Sequence, residues 1–124
     1  MLPIFAGQYA AGDQLLRKGS DAPGWVRNGH RALATATAGL FGLNTITGIW
    51  NLWEGRADPS GRKWRMAHSI LMLAADAGFT ATGLLADEAE ESGDRRTLHR
   101  NVAEGSMGVA MVGWLMMLPP IRRE

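Results

Sequence analysis

Three histidines, His30, His68 and His99, are the only imidazoles in this 124-residue sequence. Each stands at or near the N-terminal end of a long, charge-poor run. An imidazole binds a transition metal or haem iron through one ring nitrogen while the other donates a hydrogen bond. Cysteine is absent, which removes thiolate nucleophiles, disulfides and iron–sulfur ligation. No zinc-type spacing, phosphate-binding loop or locally supported Ser-His-Asp order accompanies the histidines. The chemistry that suits three separated imidazoles at helix ends is ligation of haem b, with two of them on one iron.

The runs behind these histidines are long enough to matter. Residues 32–53, ALATATAGLFGLNTITGIWNLW, carry no charge. As a helix they cover roughly 33 Å, the thickness of a bilayer core. Residues 66–86 contain one His and one Asp, and residues 101–121 contain one Glu. The pattern predicts helices over about 30–53, 64–86 and 98–118. The connectors EGRADPSGRK and DEAEESGDRRT read as short polar loops, which implies an up-down-up order.

The expected fold is therefore all-α, an integral membrane helical bundle. It has three spanning helices in a single transmembrane domain over 1–124. Residues 1–16 are apolar but short for a span. They suit an interfacial helix, or the end of a partial helix whose beginning lies upstream. RKGSDAPGWVRNG follows as a loop. Pro119-Pro120 should stop the third helix, and Arg122 and Arg123 should anchor its end. Trp25, Trp50, Trp53, Trp64 and Trp114 all fall near span ends, where amphipathic rings favour the interface.

The mean hydropathy of −0.10 averages apolar runs with charged connectors. A net charge of +1 gives no argument for nucleic acid as a partner. No signal peptide is recognisable. The lipid bilayer is the expected surrounding, and a bacterial inner membrane the expected location.

The first and third helices run the same way, so His30 and His99 should share a depth. They are the expected axial ligands of one haem. Arg27, Arg31 and Arg100 lie at that end and suit propionates. Ala103 and Ser106 continue the stripe below His99 and suit a flat macrocycle. In helical register each histidine heads such a stripe: Ala34, Thr37 and Phe41 follow His30, and Met72, Ala75 and Phe79 follow His68. The alternative for these small residues is close packing between helices. Gly39, Gly42, Gly48, Gly105, Gly108 and Gly113 read as marks of such packing. His68 belongs to the opposite end and is a third candidate metal ligand. It has no expected partner within the chain, which points to a homo-oligomer or another membrane subunit.

This placement resembles the cytochrome b-561 and ferric-reductase-like class of membrane cytochromes. The likeness rests on His30 with His99, and on His68 in R-x-x-H-S-I-L-M-L, within residues 27–118. In that class four core helices carry histidines near their ends and haems bridge alternate helices. The resemblance implies electron transfer, from a quinol or small reductant to an acceptor. The chain departs from the class in having three full spans and one unmatched histidine. A second haem would need a neighbouring chain or an upstream segment.

Two readings of other classes stand beside this one. One is a cofactor-free structural subunit of a larger membrane complex, its Trp and Gly faces binding partner helices. The other is a proton- or ion-coupled carrier using Asp76 and Glu104 within the apolar runs. The plain reading of Asp76 is a hydrogen bond to Asn44, Thr45 or Thr80.

Overall fold

A computed structural model of the protein describes residues 1–118. Among them there are helices and short connectors, and no strand. Helix α1 spans Leu2–Lys18, α2 Gly24–Glu54, α3 Arg62–Leu84, α4 Ala86–Glu91 and α5 Gly93–Leu115. The expected stop at Pro119-Pro120 and the anchor at Arg122 and Arg123 lie outside the described residues.

Local chemistry explains the ends. Pro3 sits in the first turn of α1, where no backbone donor is needed. Arg17 and Lys18 occupy its last turn, complementing the helix dipole. Gly19 follows at φ 54, a conformation that penalises any side chain. The turn before α3 uses Gly61 at φ 63 in the same way. The Asp58 carboxylate accepts from the Ser60 amide at 2.9 Å, and Arg65 donates to the carbonyls of Gly55, Asp58 and Ser60. This knots the α2–α3 connector.

Two segments read as loops are more ordered than expected. RKGSDAPGWVRNG contributes the end of α1, a 3-10 turn over Gly19–Asp21 and the start of α2 at Gly24. DEAEESGDRRT forms most of α4 and the first turn of α5. Asp87 and Glu88 lie in the first turn of α4, where negative charge is favoured. Ser92 then caps α5, accepting a hydrogen bond from the Arg95 amide at 3.2 Å. Ser92→Ala is expected to cost about 1 kcal/mol, read as a lower unfolding temperature. An unchanged temperature would show that α5 does not need this cap.

The four long helices form a ring in the order α1, α2, α3, α5, with α4 packed on α5. α1 and α2 make one antiparallel pair, α3 and α5 the other and tighter pair. α2 and α5 stand diagonally across the ring, and both begin at the same end. Helix α1, over the residues expected to form an interfacial or partial helix, is a member of the bundle, packed on α2 and α5. Its Phe5 is buried and meets Phe41 of α2 and Phe79 of α3, with ring centroids 6.2 and 5.9 Å away. Phe41 and Phe79 meet edge to face at 4.7 Å.

The α3–α5 seam is built from small residues. Ala75 and Ala110 are fully buried. Gly78 lies against Ser106, and Gly113 against Met72 and Leu71. The stripes below His68 and His99 therefore pack largely on each other. Of the six glycines read as packing marks, Gly113 alone has a neighbour where a Cβ would stand; Gly39, Gly42, Gly48, Gly105 and Gly108 face open space. Glycine type alone does not say which side of a helix meets a neighbour.

The exterior is unusually apolar. On α2, Leu43, Ile46, Ile49, Trp50 and Trp53 are each at least 60% exposed. Ile70 and Leu84 of α3 are similarly exposed. Among the described residues one helical stretch, Gly24–Ala57, is long and apolar enough to cross a membrane, with only 11% of its most apolar window buried. The bundle is all-α as expected; the expected three spans reduce, by length and composition, to this one candidate.

Candidate functional site

The ring of helices encloses an open cavity of about 1430 Å³. It runs from the His30–His99 end, past Phe41 and Phe79, to Thr45 and Asp76. It exists because α2 is held away from α3 and α5. The two pairs meet at the phenylalanine cluster, and small residues such as Ala34, Ala38, Gly42 and Ala103 face the space between.

His30, in the second turn of α2, and His99, in the second turn of α5, face each other across the ring. Their ring centroids are 6.2 Å apart and their planes inclined by 59°. Both are half-buried. His99 Nδ1 lies 2.9 Å from the Thr82 carbonyl. A carbonyl only accepts, so Nδ1 carries the hydrogen and Nε2 of the neutral ring keeps its lone pair. This is the hydrogen-bond arrangement that orients a metal-binding imidazole. His30 is held from the α1 side. Gly12 lies beside its ring, where a Cβ would stand in ordinary contact at 3.5 Å from His30 Cε1. His30 Nδ1 is buried without a hydrogen-bond partner, and so is Gln8 Oε1 on α1.

His68 lies at the opposite end of the bundle. Its Nδ1 lies 2.9 Å from the Gly113 carbonyl across the α3–α5 seam, a hydrogen-bond partner that the sequence did not point to. Close approach of α5 at a glycine makes that carbonyl reachable. The described residues contain no group of three or more His, Cys, Asp or Glu suited to a metal ion.

The polar end of the cavity is basic. Arg17, Lys18, Arg27, Arg31, Arg96 and Arg100 line it, with Asp13, Glu90 and Glu104 as the acids. Arg31 pairs with Glu90 of α4 at 2.8 Å. Arg100 pairs with Glu104 at 2.6 Å and reaches Asp13 at 3.7 Å and Tyr9 Oη at 3.3 Å on α1. The Arg31 pair is well exposed, so exchanging its partner costs little. Arg27 makes no ion pair among the described residues.

Ala103 lines the cavity, as the stripe below His99 predicts. Ser106 does not reach it. Its side chain is buried against Gly78 and donates to the Val102 carbonyl at 2.7 Å. Ala103 and Ser106, three residues apart on α5, point about 60° apart, which is enough to put one on the cavity and the other on the seam. Asp76 is bonded to Thr45, one of its three candidate partners, whereas Thr80 donates to the Asp76 carbonyl and Asn44 is exposed. Sequence reasoning allowed a helix over residues 1–16 but named none of its residues at the site. Gly12, Gln8 and Tyr9 carry no signal until α1 is known to lie beside α2 and α5.

Comparison with models of protein families, with curated proteins and with solved structures finds no match.

Proposed function

We propose that this chain is a membrane-embedded b-type haem protein, an electron-transfer component with His30 and His99 as axial ligands. The observation that carries the reading is the facing of these two imidazoles at 6.2 Å on diagonal helices. Two imidazoles on opposite sides of one iron place their ring centres roughly 6 Å apart, for metal–nitrogen bonds of about 2.0 Å. The Thr82 carbonyl fixes the His99 tautomer that leaves Nε2 for the metal. The buried His30 Nδ1 stands beside the Gln8 main chain without reaching hydrogen-bond geometry. The cavity is larger than the roughly 300–1,000 Å³ of ordinary ligand pockets. Its apolar walls suit a macrocycle, and its basic end suits carboxylates.

Haem, when bound, supplies the one-electron iron couple. The chain orients the two imidazoles, excludes water with Phe41, Phe79 and Met107, and meets the propionates with Arg27, Arg31 or Arg100. The exposed large apolar side chains of α2 and α3 support the bilayer setting. A bacterial inner membrane with a quinol or small reductant as donor is the matching context. The likeness to cytochrome b-561 and ferric-reductase-like proteins belongs to the same proposal.

A cofactor-free structural subunit is the second reading. It is favoured by the α3–α5 seam, which absorbs much of the small-residue pattern in plain packing. An absorption spectrum separates the two. A purified chain with an α-band of b type on dithionite reduction is the expected result, and a featureless spectrum after haem supplementation would reject the haem reading.

A further inference from the structure

We infer that the groove between α2 and α3 at their connector is a binding site for an anionic phospholipid, its phosphate held by Arg56 and Arg62. Charge is placed against the helix here. Arg62, Lys63 and Arg65 open α3, and its first turn holds no acid. A helix N-terminus carries partial positive charge on its unpaired N–H groups, so cations there are repelled. Helices α1, α4 and α5 follow the opposite rule: α1 ends on Arg17 and Lys18, and α4 and α5 begin with acids. Over residues 54–65 four cations stand with two acids, Glu54 and Asp58. Asp58 already accepts from the Ser60 amide and lies 3.8 Å from Arg65. The Arg62 side chain makes no ion pair or hydrogen bond among the described residues. An anion from outside the chain satisfies the helix end and the arginines together.

The groove beside these cations sets what else the anion carries. It has a volume of about 300 Å³ and shares no residue with the large cavity. Arg56, Arg62 and Arg65 line it towards the connector, and Ile49, Leu52 and Met66 line it further along the helices. Arg56 lies over the Trp53 ring, 4.2 Å from its centroid, and donates to the Trp53 carbonyl at 2.6 Å. That contact orients the guanidinium and leaves it further N–H groups for a ligand. Arg65 is spent on the carbonyls of Gly55, Asp58 and Ser60, so it fixes the turn rather than the ligand. One helical turn beyond Ile49 and Met66, Ile46 and Ile70 continue the apolar track and are 69% and 62% exposed. A cationic end running into an apolar track matches a phosphate head with hydrocarbon tails. A free phosphate uses only the cationic end, and a choline headgroup brings a cation of its own against the arginines. The site rests on the bilayer setting proposed above and not on haem, and it lies at the opposite end of the bundle from His30 and His99.

The test uses the full chain in a non-ionic detergent, with dioleoylphosphatidylglycerol and dioleoylphosphatidylcholine as probes and native mass spectrometry as the readout. The wild type is expected to bind the phosphatidylglycerol about ten-fold more tightly than the phosphatidylcholine. Arg62→Gln should weaken phosphatidylglycerol binding about five-fold, and Arg56→Gln with Arg62→Gln should remove the preference. Phosphatidylcholine binding should be the same in every variant. Arg56 and Arg62 are exposed, so both changes leave the fold in place, and the unfolding temperature of the same samples checks this. Arg95→Gln removes one charge at the other end of the bundle and should keep the preference. Equal binding of the two lipids by the wild type would overturn the site. So would a loss in Arg95→Gln as large as that in Arg62→Gln, which would make the effect one of net charge. Full displacement of the lipid by millimolar inorganic phosphate would also overturn it, in favour of a site for the free ion. Fractionation of cells expressing the chain reads the bilayer setting separately. A membrane-bound chain without the lipid preference removes this site alone, and a chain recovered in the soluble fraction removes the bilayer setting and the site with it.

Discussion

Replacing either His30 or His99 with alanine is expected to strip the chain of haem. In the proposed haem site each imidazole would supply one of the two bonds from protein to iron. Losing a mere hydrogen-bond partner of a ligand costs about 10–100-fold in metal affinity, and losing the ligand itself should cost more. Neither variant should keep haem through purification. Free imidazole supplied to His99→Ala should restore a b-type spectrum, because the cavity and the His30 side remain. That rescue separates a lost ligand from a lost fold. His68→Ala should keep the wild-type spectrum, since His68 sits at the far end and bonds to Gly113. Unshifted spectra from both His30→Ala and His99→Ala would reject the ligand assignment.

The largest structural effect is expected at Gly78. A Cβ there would stand 2.0 Å from Ser106 Oγ and 3.0 Å from Ser106 Cβ. The hydroxyl can turn, but Cβ cannot, so Gly78→Ala must push α3 and α5 apart. Overpacking of a close seam costs about 1–3 kcal/mol, and the gain in helix propensity of about 1 kcal/mol offsets part of it. Thermal unfolding in detergent should show a clear fall in midpoint. Ser106→Gly on the same chain removes the offending atoms and leaves Ser106 Cα at 3.6 Å as the nearest obstacle. The double variant should recover most of the loss. A single variant as stable as wild type would mean that the seam is looser than the structure has it.

The all-helical bundle was legible from the sequence, because long charge-poor runs broken by Gly, Pro and charged connectors leave little else to form. So was the shared level of His30 and His99. Parallel helices that begin at the same end must bring their second turns to one height. The capping serine at position 92 was also present in the letters, although the acidic run around it reads first as a loop. Tertiary packing alone decided the rest. The seam between α3 and α5 took Ser106 and Gly113 out of the cavity, because a small residue suits a helix contact and a ligand wall equally well. It also supplied His68 with a carbonyl that no spacing rule could name. Helix α1 became a fourth wall through Phe5, and with it came Gly12 and Gln8 beside His30. The hydrogen bond from Thr45 to Asp76 exists only once α2 and α3 face each other. Periodicity in a sequence fixes which residues share a side of a helix; what that side meets depends on contacts between segments far apart in the chain.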